Sequence, residues 1–243
     1  MQEKKTVDIA LLCSLLNVSD VTVRKDLDNL EKQGYLIKTH GGAILSEENY
    51  QNQKEKVNIE ISDEEKEIAE LSSNLIEDYD TIFLGAGSTC LALAKCLDRY
   101  ENITVVTNNI NALTELAPNI KKLYLVGGEI IYDKGMLSAS GASSFSFLEG
   151  IFVNKAFIGV DGIDLMSGFT INEYFLSILY KKLSEISKQV IILADYTKFN
   201  KMGLFQIGNA DFPYCVVSNE KMDDNYKQYF FKNNIKALTT YEL

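Results

Sequence analysis

The apolar positions first follow a helical rhythm. Asp8 to Leu15 reads as a short apolar helix, Asn17-Val18 as a turn, and Ser19 as the N-cap of a second helix. That helix runs to Gln33 and stops at Gly34, a typical C-terminal residue. At ~100° per residue Val23, Leu27 and Leu30 share one face. Lys25 and Val21 point the other way, with Thr22 and Arg24 at the flanks. Tyr35 to Leu45 then gives two short strand-like runs around Gly41-Gly42. Ser46 to Ile61 is polar and loses all apolar period, as a linker does. Ser62 followed by Glu65 is a capping-box pattern, and Ile68, Leu71 and Leu75 continue it at helical spacing.

Beyond residue 62 strands and helices alternate. Strands are predicted at Thr81–Leu84, Ile103–Val106, Leu123–Val126, Ala156–Val160, Val190–Ala194 and Tyr214–Val217. Helices are predicted at Leu91–Leu97, Ile110–Ala117 and Asn172–Ser187, and the aromatic stretch Tyr226–Phe231 reads as a core helix rather than a subunit contact. Uninterrupted apolar strands between helices imply a parallel sheet covered on both faces. The expected architecture is α/β: a small helix–turn–helix head with a wing over residues 1–45, a linker over 46–61, and a doubly wound body over 62–243. In such bodies ligands sit at the carboxyl ends of the strands.

Charge sharpens the division. The 243 residues carry a net charge of -10, yet the first 45 hold six basic and six acidic residues and sum to zero. The remaining 198 carry the whole -10. Against so acidic a body the head reads as locally basic, which suits a DNA-reading module carried by a different domain. A 46% hydrophobic content argues against wholesale disorder. No apolar run approaches the ~18–20 residues of a membrane span, and MQEKKTVDIA lacks a secretory core. No membrane partner and a cytoplasmic location are therefore expected. Cys13, Cys90, Cys96 and Cys215 are scattered, and His40 is the single histidine, so no metal site or disulfide framework is expected.

Candidate chemistry falls into two groups. On the head, Ser19, Thr22, Arg24 and Lys25 lie at the start of the second helix, the end that helix–turn–helix proteins insert into the major groove. Lys38 and His40 fall on the wing. Asp26 and Asp28 oppose phosphate there. On the body, Gly85-Ala86-Gly87-Ser88-Thr89 follows a strand and opens a helix, so small residues, free amides and hydroxyls could cradle an anion. It has neither the GK[ST] of a Walker loop nor GxGxxG spacing, and no cofactor is implied. Other strand ends offer Asn108 and Asn109, Gly128, Asp161, and Lys198, the last able to meet a phosphate or Asp195.

VSDVTVRKDLDNLEKQGYLIKTHGGAIL, residues 18–45, resembles the N-terminal signature of DeoR-type bacterial transcriptional regulators. Residues 62–218 resemble the sensor domain of the same family through GAGST at 85–89, VTNN at 106–109, GGE at 127–129, AFIGVDGI at 156–163, GFT at 168–170 and ADYTKF at 194–199. The first loop departs, with Gly85 where such families often carry Asp. The resemblance also implies a further helix ahead of Thr6, where the sequence shows MQEKK. A head of ~45 residues without that helix would be marginal alone, which leads to the expectation of an upstream start or a weakened head.

The sensor type is similar in fold to ribose-phosphate isomerases, so the resemblance implies a sugar-phosphate pocket at Ala86, Gly87, Ser88 and Thr89, with Asn108, Asn109, Gly128, Asp161 and Lys198 as further contacts. No catalytic residue is implied. The expected function is a repressor of a sugar-utilisation operon. It would bind operator DNA as a dimer or tetramer and be released by a phosphorylated sugar. An isomerase-like enzyme with a fused head, using Asp161, Glu173 and Lys198, is the alternative. A regulator without DNA binding, acting by subunit mixing, is a third.

Overall fold

The computed structural model describes residues 6–32, 36–39, 41–45, 59–133 and 135–240. His40, the end of the second helix at Gln33-Gly34 and most of the expected linker lie outside them. The chain divides into two compact units, Met1–Asn58 and Ile59–Leu243.

The head is built from α1 (Ile9–Leu16), α2 (Asp20–Lys32) and three short strands, β1 (Thr6–Asp8), β2 (Leu36–Thr39) and β3 (Gly42–Leu45). Asp8 caps α1 by accepting from the Leu11 amide at 2.6 Å. Asn17 ends the helix at φ 53°, a left-handed conformation that asparagine tolerates. Ser19 accepts from the Thr22 amide at 3.3 Å and so starts α2. β2 and β3 pair antiparallel, Leu36 against Leu45 and Thr39 against Gly42. β1 pairs with the other edge of β3, giving the order β1-β3-β2. A Cβ on Gly42 would stand 2.0 Å from the Val7 carbonyl oxygen, so only glycine admits this third strand.

Ile9, Val23, Leu27, Leu36 and Ala43 form the head's core. Val23 and Leu27 are buried as their shared face predicts, whereas Leu30 is 39% exposed. The wheel places Leu30 on the apolar side, but among the described residues the core does not reach that far along α2. Leu11, Leu15 and Leu16 of α1 are exposed as well.

The body is a seven-stranded sheet in the order β15-β14-β12-β9-β4-β5-β6, every pairing parallel. Its strands are β4 (Thr81–Leu84), β5 (Thr104–Thr107), β6 (Lys122–Leu125), β9 (Val153–Gly159), β12 (Ser187–Leu193), β14 (Cys215–Val217) and β15 (Lys236–Leu238). Alternate residues feed opposite cores. Phe83, Val106, Ile158, Ile192 and Val216 join one cluster with Leu179, Leu183 and Phe230. Ile82, Leu84, Val105, Phe157, Ile191 and Leu193 join the other with Ile68, Leu91, Leu93 and Leu116. The period of two in the strands thus divides the interior between two helix layers. One layer is α3 (Asp63–Ser73), α4 (Ser88–Lys95) and α5 (Ile110–Leu116). The other is α6 (Ala142–Leu148), α7 (Tyr174–Ile186) and α8 (Asp224–Lys232). Ile59 and Ile61 pack against the second cluster, so the body begins before the Ser62 cap.

Four features escape the sequence pattern. A hairpin, β7 (Glu129–Asp133) with β8 (Met136–Ser140), and helix α6 fill the stretch after Gly128. A small antiparallel sheet joins β10 (Gly162–Asp164), β11 (Gly168–Ile171) and β13 (Phe205–Gly208). β15 adds an edge strand. The hairpin was hidden because β7 is largely solvent-exposed and carries no apolar alternation. Tyr226 and Phe230 of α8 are buried one turn apart, while Phe231 is 84% exposed. No helix among the described residues is long and apolar enough to cross a membrane.

Candidate functional site

The head presents its candidate DNA-facing groups at the start of α2 and on the wing. The hydroxyls of Ser19 and Thr22 lie 2.9 Å apart and bond to each other. Arg24 reaches back one turn to Asp20, with Nε 2.5 Å from Oδ1 and Nη2 3.3 Å from Oδ2. That carboxylate raises the Arg24 pKa above its ordinary value. Lys38 pairs with Asp28, and its ammonium holds the Asp28 carboxyl below the usual range. The Lys38 amide also donates to Glu31 at 2.8 Å. Two cations are therefore engaged by neighbouring carboxylates, as Asp20 and Asp28 compete with any phosphate. Lys25 is exposed and makes no ion pair among the described residues.

In the body, β4 ends at Leu84 and the chain turns through Gly85-Ala86-Gly87 into α4. The Gly85 amide donates to the Phe157 carbonyl at 2.8 Å. The Ala86 amide donates to the Tyr180 hydroxyl at 3.1 Å. Gly87 caps α4 at φ 106°, in a region that favours glycine. The first backbone bond of α4 runs from Leu91 to Gly87, so the amides of Ser88, Thr89 and Cys90 open the helix with no acceptor among the described residues. Ala86 to Thr89 are half-buried and reachable from solvent.

Neighbouring strand ends build this loop from behind. Asn109 is fully buried. Its Nδ2 donates to the carbonyls of Gly85 (3.2 Å) and Gly87 (3.1 Å), and its Oδ1 accepts from the Ala112 amide at 3.1 Å. Asn108 is also fully buried; its Nδ2 donates to the Ala139 carbonyl at 3.2 Å, while its Oδ1 has no partner among the described residues. Gly128 approaches β8 so closely that a Cβ would stand 2.6 Å from the Ser140 carbonyl oxygen. Asp161 is exposed, and its Oδ2 accepts from the Asn172 amide at 2.8 Å. Lys198 sits on a 3-10 turn, Tyr196–Lys198, capped by Asp195 through the Thr197 amide at 2.7 Å. The Asp195 carboxylate caps that turn, and Lys198 forms no ion pair among the described residues. The carboxyl ends of β4, β5, β9 and β12 thus carry the Ala86–Thr89 loop, Asn108–Asn109, Asp161 and Lys198 at one end of the sheet.

Two residues outside the sequence candidates belong to this loop. Ser88 donates to the Glu65 carboxylate, and Thr89 lies 3.5 Å from the same oxygen. Tyr180 explains Gly85: a Cβ there would stand 2.6 Å from the phenol oxygen. Tyr180 is fully buried, which pushes its pKa well up and keeps it a neutral phenol. In the sequence, Glu65 reads only as a capping residue and Tyr180 only as an apolar helix position. Hollows of about 420 Å³ by Phe152–Asn154 and Glu185–Lys188, and 380 Å³ between Asp164 and Lys232, include none of residues 85–89. Among the described residues no cluster of His, Cys, Asp or Glu could hold a metal ion. Burial pushes the Cys90 and Cys215 thiols up to about 12, so neither is a ready nucleophile.

Residues 1–49 match the family model described as DeoR-like helix-turn-helix domain, and residues 60–220 match the DeoR C terminal sensor domain. The HTH-type transcriptional regulator IolR of Bacillus subtilis is 32% identical over 95% of this chain and 91% of its own length. The HTH-type transcriptional repressor GlcR of the same organism is 31% identical over 99% of this chain and 92% of its own. The transcriptional repressor AccR of Agrobacterium fabrum is 30% identical over 84% and 80%. Ribose 5-phosphate isomerase A from Methanocaldococcus jannaschii superposes with a TM-score of 0.41 at 16% identity over 56% of this chain and 53% of its own, a likeness that transfers no residue role. The chain belongs to the DeoR family of helix–turn–helix transcriptional regulators.

Proposed function

We propose that this regulator represses a sugar-utilisation operon and leaves its operator when a phosphorylated sugar binds the loop Ala86–Thr89. The observation that carries the effector reading is the open first turn of α4, where unpaired amides and the positive helix end meet two hydroxyls. Lys198 and Asp161, at the same end of the sheet, would supply a cation for the phosphate and an acceptor for sugar hydroxyls. Asn108 and Asn109 act from behind, shaping the loop. Isomerase chemistry gains nothing from the geometry. Glu173 caps α7 through the Phe175 amide at 3.4 Å and Asp161 holds the Asn172 amide, so the bonds present give both carboxylates a structural role.

On the head, α2 would enter the major groove with Ser19, Thr22, Arg24 and Lys25 near its leading end, and Lys38 and His40 of the wing would meet the backbone. Two heads of a homo-oligomer would read paired half-sites. Lys25→Ala is expected to weaken operator binding and to lower the salt slope by about 1, since one phosphate contact is lost. An unchanged slope in a salt titration removes Lys25 from the interface.

The whole reading is tested by fluorescence anisotropy on DNA from the gene's own upstream region at two salt concentrations, with a panel of sugar phosphates titrated in. Specific, salt-sensitive binding released by one compound is the expected result. Specific binding that no sugar phosphate alters overturns the effector reading. Failure to bind DNA, with a sugar phosphate still raising thermal stability, overturns the operator reading alone.

A further inference from the structure

Glu65 is a carboxylate seated on the proposed anion loop. Its Oε1 accepts from Ser88 Oγ and faces Thr89 Oγ1, and its Oε2 accepts from the Ser62 amide at 2.8 Å. The Glu65 amide returns to Ser62 Oγ at 3.2 Å, closing the capping box of α3. One side chain therefore caps α3 and occupies both hydroxyls of the loop. A second residue ties the same helix to another strand end. Asn219 Nδ2 donates to the Glu64 carbonyl (3.2 Å) and to Glu67 Oε2 (2.7 Å), while its Oδ1 accepts from the Tyr196 amide at 3.3 Å. Tyr196 opens the turn that carries Lys198. The first turns of α3 are thus held between the Gly85–Thr89 loop and the Lys198 turn.

A hydroxyl has one proton to donate, so Ser88 and Thr89 cannot serve Glu65 and a phosphate together. A phosphate would also bring two like charges into contact, against the carboxylate. We infer that Glu65 is an internal competitor for the anion, a specificity-determining residue that the phosphate must displace, and that its displacement frees the Ser62 amide and opens half of the capping box of α3. The inference rests on the reading of residues 86–89 as a phosphate loop. Discrimination follows from it. An uncharged sugar hydroxyl can donate to Glu65 and leave α3 capped, whereas a phosphate expels the carboxylate. Only the charged ligand then favours the state with the Ser62 amide open, and a ligand shifts an equilibrium only by such a difference.

The test uses the full chain with inorganic phosphate and a panel of hexose phosphates, read by calorimetry and by amide exchange at Ser62, Glu65 and Lys66. Glu65→Gln keeps the cap, because glutamine serves equally at that position of a capping box. It is expected to bind phosphate at least tenfold more tightly than the wild type. In the wild type, phosphate is expected to accelerate exchange at the Ser62 amide, with Glu65 and Lys66, held by the Ser62 hydroxyl and carbonyl, as internal controls. Equal affinities for wild type and Glu65→Gln, or a Ser62 amide whose protection phosphate does not change, overturn the role of Glu65 and leave the phosphate site standing. Absence of binding by either protein to any phosphate compound overturns the site itself.

Discussion

Lys155→Met is expected to lower the stability of the body by about 3–5 kcal/mol, the range for removing one partner of a buried ion pair. Lys155 and Asp80 are both under 10% exposed, and Nζ lies 2.5 Å from Asp80 Oδ2. The same oxygen accepts the Glu77 amide at 2.9 Å. Without Lys155, Asp80 keeps one hydrogen bond and an unpaired buried charge. Glu77 contributes little, because its carboxylate is 82% exposed and 3.8 Å away. For a unit of this size the loss corresponds to a fall in Tm of roughly 6–20 °C. Asp80→Asn in the same chain should recover most of it, since the amide keeps the Glu77 contact and carries no charge. Urea denaturation of the two single variants and the double variant measures the coupling. A loss below about 1 kcal/mol for Lys155→Met would show that water already solvates the pair.

Ser88→Asp should abolish the response to the effector while leaving DNA binding intact. The substitution puts a second carboxylate beside Glu65, where the phosphate oxygens would lie. Like charges brought together across a contact cost several kcal/mol, so affinity for a sugar phosphate should fall at least about 100-fold. An aspartate in the first turn of a helix suits its dipole, which argues against unfolding as the cause. Repeating the anisotropy titration with this variant checks it. Release at normal effector concentrations would falsify the phosphate loop.

Legibility in the sequence followed burial. Strands buried on both faces, such as Ile82-Phe83-Leu84 and Val190 to Leu193, read directly as apolar runs. The exposed β7 did not, because nothing in its surroundings demands alternation. On α2 the wheel found Val23 and Leu27 but overreached at Leu30, since helical phase says which side is apolar and not how far a small core extends. The candidate site was legible where one short segment carries it, as in residues 85–89. It was illegible where the fold brings distant positions together. Glu65 lies 23 residues from Ser88, and Tyr180 lies 94 from Ala86, so no spacing announces either contact. The departure at Gly85 was visible, but its reason, the Tyr180 hydroxyl in the space of a Cβ, was not.

If the loop takes the proposed anion, Asn109 would set the entropy of binding. Its amide clasps the carbonyls of Gly85 and Gly87 and fastens the start of α5, so the loop is braced without any ligand. A loop already in its bound shape surrenders little conformational freedom on association, which leaves more of the contact energy as affinity. The cradle behaves as a rigid socket. On the proposed reading, the moving part of recognition would be one carboxylate rather than a stretch of backbone.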